Sequence, residues 1–317
     1  MKQRIKGFLA VLLLGSILST GCTGPEDVPS SGGLSPDSMD GHAILRVVSP
    51  PAEPAGEPEK SEEAGVSQLH PYVKGLTADI AAELSTPGMG EYEKAKAAFD
   101  YLITHVSIGE PIGLELWRVH GGGAEAIPFI EQRAIGPLRF GVGMCEDYAA
   151  ALTLLLREMG LEAAYMPGLT YSAEGNLVDH AWTLVKVDGV WYHLDSQLED
   201  TISRRGSVGY RYFLRGDRTM AASHHWGQNL IAAGVLTAEQ NREIAESFPA
   251  PSCPLDYPTP QRLPITDSPA PDMETLRQRV AAEIAAWEAE NGPLPEMEQN
   301  ALPPVFGLEG YGPADEG

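Results

Sequence analysis

Three residues that can act together on a carbonyl group occur between positions 145 and 195 of this chain. The first is Cys145, which follows Gly141-Val142-Gly143-Met144 and begins a run whose apolar residues recur at helical spacing until Gly160. This pattern predicts that Cys145 lies at a helix N-terminus, where unpaired N–H groups and the helix dipole favour the nucleophilic thiolate. Glu146 and Asp147 favour the helix start, but their charges oppose the thiolate. A small buried cysteine would fit the same pattern, so the partners of Cys145 decide its interpretation.

A predicted β-hairpin follows that helix. The β-prone segments 180–187 and 190–195 are joined by Asp188-Gly189, which is a strong signal for a two-residue turn. With this turn, Val187 faces Val190 in the antiparallel register. If the register continues, residue 182 lies opposite residue 195, and residue 180 lies opposite residue 197.

This hairpin supplies the two partners that a nucleophilic cysteine needs. Alternation places His180 and Asp195 on one face as diagonal neighbours, which suits a general base and the carboxylate that orients it. Asp179 points to the opposite face and is the weaker candidate. His193 shares the face but lies nearer the turn, so we interpret it as structural. Trp182 either shields the His–Asp pair from water or belongs to the core.

The motifs around these residues resemble the bacterial transglutaminase-like superfamily. They are Gly-x-Gly-x-Cys-x-x-Tyr-Ala at 141–149, His180-Ala181-Trp182, and Gly189-Val190-Trp191-Tyr192-His193-Leu194-Asp195. Tyr212-Phe213-Leu214 and His224-His225-Trp226 resemble a segment that follows the triad in bacterial members. The resemblance implies an α+β, papain-like fold, in which the Cys helix packs on an antiparallel β-sheet that carries His and Asp.

The resemblance also implies a mechanism without a cofactor. Cys145 would be the nucleophile, His180 the general base and then acid, and Asp195 the orienter. The substrate would be a peptide or protein amide, and water or an amine would resolve the thioester. An oxyanion needs the Cys145 N–H and one upstream donor, for which Gln132 and Trp117 are the candidates. No metal site is predicted, because the adjacent His224 and His225 have no further ligand at a familiar spacing.

The N-terminus has the layout of a secretory signal. Three basic residues in the first six positions precede an apolar run from Phe8 to Leu14, which is too short to span a membrane. Gly21-Cys22 with Leu18 upstream resembles a bacterial lipobox, although Leu18 lies one place further from the cysteine than usual. The resemblance implies lipidation of Cys22, a membrane anchor, and an extracytoplasmic location at the bacterial cell envelope. An ordinary cleaved signal peptide is the alternative.

Composition divides the chain into four segments. After the signal peptide at 1–21, an acidic Pro/Gly-rich segment at 22–68 is predicted to be a disordered tether. A transglutaminase-like domain is predicted at 69–248, with an amphipathic helix from Glu91 to His105 and a loop from Pro111 to Gly123. The segment 249–317 is predicted to be a Pro-rich linker and a C-terminal helix and tail.

The C-terminal segment contains two predicted features. Eight prolines between Pro249 and Pro271 argue against regular structure there. Asp272 then caps a predicted helix whose apolar stripe runs from Met273 to Trp287. The stripe would pack on the core or dock a partner protein.

Charge and cysteine count narrow the function classes. The 317 residues carry a net charge of −22, so the chain would repel nucleic acid, which we exclude as a partner. Three cysteines do not make a disulfide scaffold. Cys253 could pair with Cys145 and block catalysis, but we interpret it as a leftover thiol. Two classes stay open: a surface-tethered cysteine enzyme, which the triad favours, and a catalytically silent binding module with an envelope protein as partner.

Overall fold

The computed structural model describes residues 69–121, 126–173, 175–203, 206–232, 234–265 and 271–294. The predicted signal peptide, the lipidation site Cys22 and the predicted tether lie outside these residues. The helices are α1 (Pro71–Leu84), α2 (Glu91–His105), α3 (Leu116–His120), α4 (Phe129–Ile135), α5 (Cys145–Glu158), α6 (Ser196–Ser203), α7 (Asp217–Met220), α8 (Gln228–Ala232), α9 (Ala238–Ser247) and α10 (Met273–Asn291). The strands are β1 (Ser107–Ile108), β2 (Val142–Gly143), β3 (Ala163–Tyr171), β4 (Leu177–Val187), β5 (Val190–Leu194), β6 (Ser207–Val208), β7 (His224–His225) and β8 (Leu263–Pro264).

The main sheet is antiparallel and has the strand order β5-β4-β3-β7. The β4–β5 register is the predicted one, since Val187 pairs with Val190 and Thr183 pairs with Leu194. Asp188 and Gly189 both have positive φ, at 51° and 80°, as a type I′ turn requires. The predicted turn is therefore confirmed, as is the predicted register from Val187–Val190 to Thr183–Leu194.

Helix α5 lies at the centre of the core and packs against α4 and β4. Every residue from Asp147 to Leu156 is buried, so this helix is surrounded on all sides rather than lying on the surface. The Tyr148 hydroxyl on this helix lies 2.9 Å from both the carbonyl oxygen of Val106 and Oδ2 of Asp200, so its polar group has partners inside the core. The nucleophile candidate thus begins the most deeply packed helix of the domain.

Two sequence expectations need correction. The segment from Pro111 to Gly123, predicted to be a loop, contains the short helix α3, which buries Leu116 in the core. The Pro-rich segment contains strand β8, which pairs with β6 through Val208 and Leu263. Proline occupies the last position of that strand, where its missing N–H removes little from a two-residue ladder.

The tail helix α10 packs on the core. Its N-cap is Asp272, as predicted, and its Leu276 and Val280 are buried in the main apolar cluster. Glu283 bonds both Arg139 and His120 across this contact. The first of the two interpretations of the apolar stripe is therefore the observed one. None of the described helices is long and apolar enough to cross a membrane.

Candidate active site

Cys145 is the first residue of α5 and is partly exposed. The backbone turn before it depends on two glycines. Gly141 has φ of +64°, and a Cβ there would lie 2.6 Å from the carbonyl oxygen of His105. A Cβ on Gly143 would lie 2.5 Å from the Cβ of Asp147. Only glycine fits both positions, so the chain can turn sharply into the helix and present the thiol at its N-terminus.

Arg133 on α4 pairs with both acidic residues that follow the cysteine. Its guanidinium lies 2.7 Å from Oε2 of Glu146 and 2.7 Å from Oδ1 of Asp147. Asp147 also accepts the N–H of Met144 at 2.7 Å. Burial raises the pKa of Asp147 to about 7, although Arg133 and the Met144 N–H oppose the rise. The charges that were expected to oppose a thiolate are therefore offset by a cation that the sequence analysis did not identify.

The predicted base and orienter are in direct contact. His180 Nε2 donates to Asp195 Oδ2 at 2.6 Å, and both side chains are almost completely buried. Cys145 lies close enough to the same imidazole to raise its pKa. Because Nε2 is bonded to Asp195, Nδ1 is the ring nitrogen left for the sulfur. The structure therefore brings together all three residues that the sequence analysis singled out.

Burial and charge act in opposite directions on this pair. Burial alone would lower the pKa of His180, but the carboxylate of Asp195 and the contact with Cys145 outweigh burial and raise it. Burial would likewise raise the pKa of Asp195, but His180 and His224 hold it well below its usual range. The arrangement favours an imidazolium next to a carboxylate.

Asp195 is also the N-cap of α6. Its Oδ1 accepts the N–H of Leu198 at 2.9 Å, and its own N–H donates to the carbonyl of Tyr212 at 3.0 Å. Strand β5 ends at Leu194, so the predicted pairing of residue 195 with 182, and of 197 with 180, does not occur. The chain turns into a helix at Ser196 because Asp195 is a strong N-cap residue.

A second histidine, His224 on β7, contacts the same carboxylate. Its Nε2 lies 2.9 Å from Asp195 Oδ2, and its Nδ1 lies 2.9 Å from the hydroxyl of Ser223. The sequence analysis noted this residue within a family-like segment and in weighing a metal site, but did not assign it to the active site. Its pairing with Asp195 is a long-range contact, which no local pattern predicts.

Trp182 and His193 form a buried layer beside His180. The indole of Trp182 stacks on His180 at 6.1 Å between ring centroids and donates to His193 Nδ1 at 2.9 Å. His193 Nε2 in turn donates to Asp217 at 2.9 Å. Trp182 thus both covers the His–Asp pair and belongs to an apolar cluster, and His193 makes structural contacts.

The two oxyanion candidates lie in different places. Trp117 is buried in the main core, with its ring edge-on to His70 at 5.7 Å. Gln132 is partly exposed on α4, next to the residue whose guanidinium contacts the start of α5. Within the described residues, no hydrogen bond joins either side chain to Cys145. Their role as donors stays a prediction.

Two groups of histidine, aspartate and cysteine side chains could in principle hold a metal ion, and Cys253 belongs to one of them. Cys253 and Cys145 are both free thiols, and burial raises the pKa of Cys253. Donor atoms of His193, Asp217 and Cys253 lie within 4.8 Å of one another, as do those of His180, Asp195 and His224. In the first group, the N–H of Trp182 fixes the proton of His193 on Nε2, the atom that faces Asp217. This nitrogen therefore has no lone pair to offer an ion.

Comparison with known proteins places this site in a family. The family model of the transglutaminase-like superfamily matches residues 78–196, a segment that includes Cys145, His180 and Asp195. The α+β fold and this match define a transglutaminase-like domain in this part of the chain.

Three solved structures show weaker similarity. A proposed cysteine protease from Cytophaga hutchinsonii is 16% identical, with 42% of this chain and 44% of that chain covered and a TM-score of 0.28. A proposed protease from Parabacteroides distasonis is 16% identical, with 41% and 24% covered and a TM-score of 0.27. A TGase is 20% identical, with 39% and 30% covered and a TM-score of 0.24. The alignment spans less than half the length of each. No curated protein matches the chain.

Proposed function

We propose that this protein is a cysteine enzyme that acts on amide bonds through a thioester on Cys145. The observation that carries the proposal is the hydrogen-bonded pair His180–Asp195 beside Cys145 at the N-terminus of α5. This is the order of nucleophile, base and orienter that acyl transfer needs. The match of residues 78–196 to a superfamily that includes cysteine proteases and transglutaminases supports the same chemistry.

The proposed reaction has two steps. In the first, the Cys145 thiolate attacks the amide carbonyl, the C–S bond forms, and the imidazolium of His180 gives its proton to the leaving amine as the C–N bond breaks. In the second, His180 removes a proton from water or from an incoming amine, which attacks the thioester and releases Cys145. Water gives hydrolysis, and an amine gives transamidation.

The start of α5 would stabilise the oxyanion. An α-helix leaves its first N–H groups without partners inside the helix, and Cys145 is the first residue. Its N–H therefore points out of the helix close to the sulfur, where the negative oxygen of a tetrahedral intermediate would form. Gln132 and Trp117 remain the proposed sources of a second donor.

The silent binding module has less support than the enzyme. The hypothesis of a binding module was based on the apolar stripe of the tail helix, but Leu276 and Val280 of that stripe are buried against the core. The stripe is therefore not an open docking surface. The enzyme accounts for a thiol at the N-terminus of α5 beside the buried His180–Asp195 pair, whereas a binding module does not require that thiol.

We also propose that the protein is anchored at the cell surface. The lipobox-like Gly21-Cys22 supports lipid anchoring at the bacterial envelope, facing away from the cytoplasm. Expression of wild type and Cys22→Ala in bacteria fed a labelled fatty acid tests this. We expect label and membrane association for the wild type alone. Label on both proteins, or on neither, would contradict the anchor.

A thiol probe and a peptide library test the enzyme. The purified full chain is incubated with iodoacetamide, or with peptides and a labelled amine, and the products are identified by mass spectrometry. We expect Cys145→Ala to abolish alkylation at this position together with cleavage or amine incorporation, and His180→Ala to reduce both. Cys253→Ala is the matched control and should behave as the wild type. Equal turnover by wild type and Cys145→Ala would overturn the proposal.

A further inference from the structure

His224 hydrogen-bonds to Asp195, and a mechanism that uses only Cys145, His180 and Asp195 gives this contact no role. Asp195 Oδ2 lies 2.6 Å from His180 Nε2 and 2.9 Å from His224 Nε2, so one carboxylate oxygen accepts from two imidazoles. The other oxygen accepts the N–H of Leu198. This carboxylate is therefore bonded on both oxygens, and one of its three donors is a histidine outside the triad.

The tautomer of His224 follows from its two partners. Asp195 can only accept, so His224 Nε2 carries a proton, and Nδ1 then accepts from the hydroxyl of Ser223 at 2.9 Å. Burial lowers the pKa of His224, and the neighbouring His180 and His193 lower it further, while Asp195 opposes them. His224 is thus a neutral N–H donor rather than a second cation beside His180.

The ring of His224 is held in a fixed orientation. It is completely buried, lies edge-on to Trp182 at 4.9 Å, and lies 5.5 Å from the ring of Tyr212. Its backbone pairs with Thr170 of β3, and the Thr170 hydroxyl donates to the carbonyl of Ser223 at 2.9 Å. Sheet pairing and aromatic packing therefore aim the N–H at Asp195 before any substrate binds.

A shared carboxylate oxygen is a weaker acceptor for each donor than an unshared one. When His224 takes part of the charge of Asp195, less remains to stabilise the imidazolium of His180. The imidazolium must lose its proton to the leaving amine in the first step of the reaction. A carboxylate that stabilised the imidazolium too strongly would slow the loss of its Nδ1 proton in that step.

We propose that His224 is a positioning residue that acts through Asp195. Its N–H fixes the carboxylate toward His180 and moderates its charge, so that Asp195 orients the base while leaving its proton available for transfer. This role rests on the proposed function. It explains why a fully buried histidine pairs with the triad carboxylate and not with solvent.

Two substitutions of the same length isolate the N–H of His224. Gln can place an amide N–H where His224 Nε2 lies, whereas Met fills similar space without a donor. The full chain is labelled on its histidines, and the ring titration of His180 is followed by NMR, with its signal assigned through His180→Gln. His225→Met is the matched control, because His225 is the next residue and bonds the hydroxyl of Tyr171 instead.

We expect His224→Met to raise the midpoint of the His180 titration by about one pH unit, because Asp195 regains its full charge. His224→Gln and His225→Met should stay close to the wild type. An unchanged midpoint in His224→Met, an opposite shift, or equal shifts in the Met and Gln variants would overturn the proposal. If His224→Met does not fold, Ser223→Ala decides: a smaller shift in the same direction supports the role, and no shift overturns it.

Iodoacetamide alkylation of Cys145 separates this proposal from the proposed function. If the wild-type thiol reacts no faster than the thiol of His180→Ala, the enzyme proposal fails whatever His224 does. If the wild type reacts faster and His224→Met leaves the His180 titration unchanged, only the role of His224 fails.

Discussion

Replacing Asp195 by Asn tests the electrostatic basis of the site most directly. The substitution removes one charge and one acceptor from a fully buried pair, while Asn can still cap α6. We therefore expect the variant to fold. Its altered property is the stability of the His180 imidazolium, which loses its counter-charge at a hydrogen-bond distance of 2.6 Å.

The expected magnitude follows from the charges. Two opposite unit charges about 4 Å apart attract by about 4 kcal/mol at an effective dielectric constant of about 20. Loss of this attraction corresponds to about three pH units in the titration of His180. We therefore expect the midpoint of the His180 ring titration, followed by NMR, to fall by about three pH units in Asp195→Asn.

The assay is the NMR titration of the His180 ring, with circular dichroism as the check on folding. Asp217→Asn is the matched control, because Asp217 bonds His193 and not His180. Its His180 midpoint should equal that of the wild type. A folded Asp195→Asn protein whose His180 midpoint falls by less than about one pH unit would refute the electrostatic reasoning.

Three further predictions follow from the contacts described. Arg133→Gln should slow alkylation of Cys145 at about pH 6 by roughly fivefold to tenfold, because it removes the cation that offsets the charge of Glu146 next to Cys145; a rate equal to that of the wild type would contradict this. Leu276→Ala should lower the free energy of unfolding in urea by about 2–3 kcal/mol, because it leaves a cavity between α10 and the core. An unchanged urea concentration at the midpoint of unfolding would show that the helix does not stabilise the core. Since the pKa of Asp195 is lowered on folding, its contribution is present above about pH 4 and is lost as pH falls through the folded value. The stability difference between wild type and Asp195→Asn should accordingly shrink below about pH 4 in urea titrations, and a difference that grows there would be contrary to the assigned sign.

Local rules predicted much of the fold. Helix α2 runs from Glu91 to His105 as the apolar spacing indicated, and Asp272 caps α10. The Asp188-Gly189 turn set the register of the hairpin, and the register put His180 near Asp195. Each of these features depends on residues close in sequence, where helical period, cap and turn chemistry leave few alternatives.

The remaining features depend on tertiary contacts. Arg133 meets the start of α5 from another helix, and His224 meets Asp195 from the opposite edge of the sheet. No periodicity relates such residues. Strand β8 formed among prolines because β6 offered it a partner. The helix-forming preference of Asp195 as a cap also prevailed over the continuation of the strand that alternation indicated.

Both carboxylate oxygens of Asp195 accept hydrogen bonds, and these bonds link the folding of the protein to its chemistry. Oδ1 caps the N-terminus of α6, and Oδ2 accepts hydrogen bonds from the two buried imidazoles of His180 and His224. A descendant of this chain that abandoned catalysis would still need the residue to start the helix and to satisfy buried donors. Selection for stability alone would then retain this aspartate long after activity was lost. The residue that indicates whether a relative is still catalytically active is accordingly the one aligned with Cys145, because the fold does not need this thiol.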